Sequence, residues 1–367
     1  MSKSPTIPQE MKAIVTYGPK DNRLATIPVP VPGPAEVLVK VEACGICAGD
    51  VKSYKGAAMF WGDDVQPQWT KPPVVPGHEF VGEVVALGPG AKEKHGVDIG
   101  DRVTADQIVP CGECRYCQTG KYWMCEVHNI HGHQGVVADG GMAEYMKFSA
   151  RDIVHKVPWS IPFAHGVMIE PLACSVHTIE RANIQFGDVV VIAGLGPIGL
   201  CKLQVAKLKH PKLLIGIDMR PKRLELARTL GADIVINPAA EDAVEKVKEL
   251  TGGYGCDVYV HNSGSPAGVI QGLKMIRKLG TFVEFSVFSA PTTVDWSIIG
   301  DRKELNIVGA HISPYTYPTA IRFIAEGTVN VEPLITHQLP LSQFMEGFKI
   351  AEEGTESIKV ALIPSLS

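Results

Sequence analysis

The 367-residue sequence predicts an α/β chain in two parts, one mainly β and one a doubly wound parallel sheet. Three observations carry this. The first 160 or so residues are rich in Val, Gly and Pro and poor in helical periodicity. From about residue 187, continuous apolar runs alternate with helical stretches, the pattern of parallel strands covered on both faces. Between the first of those runs and the first of those helices lies a G-x-G-x-x-G turn, Gly194 to Gly199.

In chain order, EVLVKVEA (36–43) and FVGEVVAL (80–87) read as strands bounded by Gly and Pro. The second half runs VVVIAG (189–194), a helical PIGLCKLQVAKLK, LLIGID (213–218), then PKRLELARTL as helix. DIVIN (233–237) precedes EDAVEKVKEL, DVYVHNSG (257–264) precedes PAGVIQGLKMIRK, and GTFVEF (280–285) closes the series. After about residue 305 come one strand-like run, two amphipathic helices and a final strand-like IKVALIP. The length suits two domains. The expected division sets residues 1–165 with 306–367 against 166–305.

Bulk composition excludes several classes. With 45% hydrophobic and 20% charged residues and a net charge of −4, the chain has no basic character suited to nucleic acid or anionic lipid. The segment MSKSPTIPQE lacks the apolar core of a secretory signal, and no run of about 18 apolar residues offers a membrane span. Nine cysteines without an export signal favour a reducing compartment, so the expectation is a cytoplasmic protein.

Cys111, Cys114, Cys117 and Cys125 read C-x-x-C-x-x-C and, after seven intervening residues, a fourth Cys. Four thiolates in one loop can wrap a tetrahedral Zn²⁺ with no open position, so this zinc is expected to be structural. A metal-free cluster or two disulfides is the bland alternative. At the Gly-rich turn, Gly194, Gly196, Pro197, Ile198 and Gly199 would present a helix N-terminus to a pyrophosphate. Asp218 ends the next strand, where an acid can hold the adenosine ribose hydroxyls and repel a 2′-phosphate; NAD is therefore expected over NADP. Arg220 and Arg223 follow and could soften that preference. Asp218 reads alternatively as a helix cap before Pro221.

Other candidate metal ligands are Cys47 in CGICAGD (44–50), His78 and Glu79 in PGHEF (76–80), and Glu170 in IEPLACSVH (169–177). Thiolate, imidazole and carboxylate suit a catalytic zinc, but spacing alone does not join them. Isolated His and Glu residues are more often ordinary surface or core residues.

Taken together, the GHE motif, the four-Cys lobe, the EP motif and GLGPIG, in that family order, resemble the zinc-containing medium-chain alcohol and polyol dehydrogenases along nearly the whole chain. The resemblance implies a GroES-like mainly-β catalytic domain, with its structural-zinc lobe at about 108–128, and a Rossmann NAD-binding domain. It implies two zincs per chain. The catalytic one would be held by Cys47, His78 and Glu79 or water, with Glu170 ligating or bonding the bound water. Glu170 followed by Pro is the sorbitol, threonine and butanediol dehydrogenase pattern. Adjacent strand residues face opposite ways, so joint ligation by His78 and Glu79 needs an irregular backbone. Asp50 would buttress His78, Arg223 would lie at the coenzyme, and Cys44, Cys174, Cys201 and Cys256 would be core cysteines.

The implied reaction is zinc- and NAD-dependent oxidation of a secondary alcohol to a ketone. Relatives often carry Ser or Thr two residues after the ligand Cys and His three further on. Here these positions are Gly49 and Lys52, so proton removal is expected through Glu79 or Glu170. The segment 56–73, with Met59, Phe60, Trp61 and Trp69, either narrows the substrate cleft or packs an inserted loop. CAGD, this insertion and FSVFSAPTTVDWSIIGD (285–301) together imply a small polyol, erythritol or L-threitol, oxidised to erythrulose. Alternatives are sorbitol or xylitol, 2,3-butanediol and L-threonine as substrates; more remote are a zinc-free reductase and an NAD-binding regulator. A homo-oligomer is implied, a tetramer over a dimer.

Overall fold

The computed structural model describes residues 7–135, 137–288 and 291–366. Residues 1–6 of the N-terminal segment and 289–290 of the 285–301 run lie outside them. The chain divides into two compact units, Met1–Glu170 with Tyr317–Ser367, and Pro171–Thr316.

The first unit opens with an antiparallel hairpin, β1 (Glu10–Gly18) and β2 (Asp21–Pro28). β3 (Val37–Ile46), β4 (Glu79–Leu87) and β5 (Arg102–Ala105) pair antiparallel in sequence. β6 (Ile108–Val109) and β7 (Asn129–Ile130) pair across the base of the cysteine loop. β8 (Tyr145–Phe148) pairs with β3, and β9 (Val154–Lys156) with β5. Valines alternating along β3 meet Phe80, Val84, Met146 and Phe148 in a continuous core that also holds Cys44.

The second unit holds β10 (Val189–Ala193), β11 (Leu213–Ile217), β12 (Ile234–Ile236), β13 (Cys256–His261), β14 (Ile276–Glu284) and β15 (Asn306–Gly309). All are parallel, in the order β12-β11-β10-β13-β14-β15. Every residue of β10 is buried, which explains its unbroken apolar run. Proline at the first turn starts the helices Pro197–Lys207, Pro221–Thr229 and Pro266–Met275. Asp242 caps Ala243–Leu250 through the N–H groups of Val244 and Glu245. The strand-like run after residue 305 is β15. Because it pairs with β14, the structural division falls after Thr316 rather than at 305.

The chain then returns to the first unit. β16 (Ile335–Leu339) and β17 (Lys359–Leu362) complete a sheet of order β16-β17-β3-β4-β5-β9, with β17 antiparallel to β3. Cys44, Cys174, Cys201 and Cys256 are all buried. Among the described residues no helix is long and apolar enough to cross a membrane.

Candidate metal centres and coenzyme loop

The four sulfurs of Cys111, Cys114, Cys117 and Cys125 lie within 4.8 Å of one another. Cys111 Sγ and Cys117 Sγ are 3.9 Å apart, against the about 3.8 Å edge of a tetrahedron with Zn–S bonds of about 2.3 Å. Backbone N–H groups of Glu113 and Cys114 donate to Cys111 Sγ, and that of Cys111 donates to Cys125 Sγ. N–H groups of Cys117 and Glu126 pull the Cys114 thiol down to about 6, favouring the thiolate a metal needs. Geometry and electrostatics both fit a closed tetrahedral zinc.

A second group joins Cys47, His78 and Glu79, whose ligand atoms also lie within 4.8 Å of one another. Cys47 caps the helix Ala48–Tyr54: its Sγ accepts from Gly49 N–H at 3.4 Å, and its own N–H donates to Asp50 Oδ2 at 2.8 Å. His78 and Glu79 point to one place because regular pairing begins only at Glu79 and Gly77 takes φ +98°, in the left-handed region that glycine favours. A Cβ on Gly77 would come within 2.6 Å of Cys44 Sγ. Burial would lower the His78 pKa, but the charges of Asp50 and Cys47 hold it well above its ordinary value. The same field favours a cation. Thiolate, imidazole and carboxylate gathered in a largely buried place fit zinc.

Glu79 has a partner for which the sequence carried no signal. Lys359 Nζ donates to both its carboxylate oxygens, at 2.6 and 2.5 Å, and to the Ile46 carbonyl at 3.2 Å. Gly45 faces Glu79 across the β3–β4 ladder, and a Cβ there would lie 2.1 Å from Glu79 Oε2. Glu170 is buried, and its charge acts on both His78 and Lys359, but it is not part of the Cys47–His78–Glu79 group. Lys52 lies beside Cys47, and burial lowers its ammonium pKa.

Behind His78, its Nδ1 stands 3.7 Å from Asp50 Oδ1, too long for a hydrogen bond. His133 joins these two in a third group of potential ligands. Phe60 and Trp69 stack on His133, with ring centroids 5.0 and 4.8 Å away. Trp61 Nε1 donates to the Ser53 carbonyl and Trp69 Nε1 to that of His128. These three aromatics of segment 56–73 therefore pack the insertion, while Met59 is exposed.

In the second unit Gly194 takes φ +91°, and a Cβ on Gly199 would lie 1.9 Å from the Gly194 carbonyl oxygen. Gly196 caps the helix that begins at Pro197 and Ile198. Asp218 braces the turn: Oδ2 accepts from Leu195 N–H at 2.8 Å, and Oδ1 from Arg220 N–H at 2.9 Å. Arg223 Nη1 is 3.7 Å from Asp218 Oδ2. Strand order reverses between β10 and β13, the crevice where open α/β sheets bind ligands.

Residues 33–159 match the alcohol dehydrogenase GroES-like domain, and residues 197–326 match the zinc-binding dehydrogenase family. Over 359 residues, 98% of this chain and 99% of the relative, the sequence is 49% identical to the erythritol/L-threitol dehydrogenase of Mycolicibacterium smegmatis. The chain belongs to the zinc-binding dehydrogenases. It is also 35% identical to the D-arabitol-phosphate dehydrogenase of Enterococcus avium, over 96% of this chain and 97% of that one. Among solved structures, a zinc-binding dehydrogenase of Sinorhizobium meliloti bound to NADP aligns with TM-score 0.87 and 29% identity, covering 97% of this chain and all of that one. The expected architecture, a GroES-like domain with a Rossmann domain, is the one found.

For this dehydrogenase, family motifs pointed to Cys47, His78, Glu79 and the four-Cys lobe, which the fold gathers into two groups. Lys359 and His133 stayed hidden. Lys359 is distant in sequence from Glu79, and His133 in HGHQ looks like part of a polar turn.

Proposed function

We propose that this dehydrogenase oxidises a secondary hydroxyl of a small polyol to a ketose with NAD, erythritol or L-threitol to erythrulose being favoured. The observation that carries the reading is 49% identity along almost the whole chain to an erythritol/L-threitol dehydrogenase, in a chain that also gathers Cys47, His78 and Glu79.

When bound, zinc supplies the Lewis acidity that eases loss of the hydroxyl proton, and NAD supplies the hydride acceptor. Cys47 and His78 hold the catalytic metal, with Glu79, Glu170 or water completing the set, and Cys111, Cys114, Cys117 and Cys125 hold a second, structural zinc. Asp50 steadies His78. Glu79 is committed to Lys359, so we assign proton removal to Glu170, Gly49 having no side chain to serve. Gly194, Gly196, Pro197, Ile198 and Gly199 receive the pyrophosphate, Asp218 the ribose, and Arg223 lies beside them. Thiolate ligands suit a cytoplasmic enzyme, and we assign it a homotetramer in preference to a dimer.

The deciding experiment is kcat/KM for alditols and vicinal diols of three to six carbons with NAD and with NADP, beside metal analysis. The reading requires about two zincs per chain and the highest efficiency on a four-carbon alditol with NAD. Comparable efficiency with NADP would defeat the Asp218 argument. One zinc with no turnover of any alditol would overturn the polyol reading itself.

A further inference from the structure

We propose that Asn22, Asp50, Thr70 and His133 enclose a binding site for one ordered water molecule behind His78, and that Asn22, Thr70 and His133 act through it as positioning residues for the metal centre. All four line a single cavity of about 10 Å³, the least volume that admits one water. Each presents to it a buried polar atom without a hydrogen-bond partner: Asn22 Oδ1, Asp50 Oδ1, Thr70 Oγ1 and His133 Nδ1. Asp50, Thr70 and His133 are 3%, 1% and 4% exposed, so bulk solvent does not satisfy these atoms. Buried polar atoms left unpaired carry a desolvation cost, and four converging on one void are accounted for together by one bound water.

The donor and acceptor count fits. Asp50 Oδ1 and Asn22 Oδ1 only accept, matching the two hydrogens of water. The Thr70 hydroxyl and His133 Nδ1–H can donate to its lone pairs. His133 Nδ1 donates in the tautomer that carries the proton there. A cation is the weaker occupant. Asp50 supplies the only formal charge among the four, its other oxygen is already committed to Cys47 N–H, and the cavity has no room for a hydration shell.

The site matters because Asp50 Oδ1 faces the orphaned Nδ1 of His78 across a gap of 3.7 Å. Water anchored by Asn22 and Thr70 fixes the Asp50 carboxylate in that place. Outer partners of this kind change metal affinity by about 10- to 100-fold. The proposal rests on Cys47 and His78 holding zinc, but its test needs no polyol.

The test is a near-atomic-resolution crystal structure of the full chain, with chelator competition for zinc on the wild type and on Thr70→Val, Thr70→Ser and Asn22→Ala. Expected is one peak within hydrogen-bonding distance of Asp50 Oδ1 and at least two of the other three atoms, without anomalous signal. Thr70→Val should lose the peak and weaken the more labile zinc by about tenfold, with the four-Cys zinc retained, kcat lowered and KM little changed. Thr70→Ser should restore both. Asn22→Ala, half-buried near the start of β2, tests the same link should Thr70→Val not fold. An anomalous peak in the cavity, an empty cavity, or unchanged zinc affinity in both Thr70→Val and Asn22→Ala would overturn the proposal. A water peak and weakened zinc, with no alditol turned over, would instead leave the proposal standing and sink the polyol reading.

Discussion

Lys359 Nζ spans both carboxylate oxygens of Glu79, at 2.6 and 2.5 Å, with the two side chains only 2% and 1% exposed. Removing one partner of such a pair leaves a charge in a place without water. Lys359→Met should therefore cost about 3–5 kcal/mol of stability. The double variant Lys359→Met/Glu79→Gln should recover much of it, because no bare charge remains. Chemical denaturation of the three proteins checks this, and additive losses in the double variant would refute it.

Gly199→Ala places a methyl group where the Gly194 carbonyl oxygen already stands, 1.9 Å away. The turn must open by about 1–3 kcal/mol of strain, equivalent to about 5- to 150-fold in coenzyme affinity if binding bears the strain. Titration calorimetry with NAD measures it, with the zinc content expected to stay unchanged.

The two cysteine groups should respond differently. Cys114→Ser should remove about one zinc per chain and lower the melting temperature, because it opens the closed lobe. Cys47→Ser should keep the fold and the lobe zinc while turnover falls to background. Metal analysis and circular dichroism on both variants separate the outcomes.

Lys202 is fully buried in the helix Pro197–Lys207. Its Nζ donates to Asn262 Oδ1 at 2.6 Å and lies 3.5 Å from the centroid of the Phe285 ring. Burial lowers its pKa well below 10.5. The unfolded chain therefore holds a proton that the folded chain gives up in the window between the depressed pKa and 10.5, and across that window Lys202 makes stability rise with pH. Lys202→Met should flatten the rise and stabilise the protein at neutral pH. Denaturation midpoints of both proteins across alkaline pH decide the matter; parallel curves would exclude Lys202 as the source.

The parallel sheet is legible because β10 and β11 are unbroken apolar runs, β13 is mostly apolar, and all three lead to proline-started helices. β16, with half-buried and exposed residues alternating in ITHQL, gave no such run and was not foreseen. β15 reads as a strand, but its place beside β14 depends on sheet pairing rather than on its own four residues. At the candidate metal centre, motifs point to Cys47, His78 and Glu79 and not to what balances their charge. Lys359 reads as the polar start of a strand, and the demand for glycine at position 45 appears only once Glu79 lies across from it. Asn22 and Thr70 have no motif at all, since only the folded cavity makes their polar atoms neighbours.

The first unit is interrupted: its sheet begins in Met1–Glu170 and is finished by β17, from the returning segment. Pro171–Thr316 is one contiguous stretch and can close its core while translation continues. The Cys47–His78–Glu79 group cannot. Until residue 359 leaves the ribosome, Glu79 lacks Lys359 and β3 lacks its β17 neighbour. Synthesis therefore orders assembly, with the fold of Pro171–Thr316 able to close before Cys47, His78 and Glu79 have their full surroundings, and an interrupted translation product would carry the former without the latter.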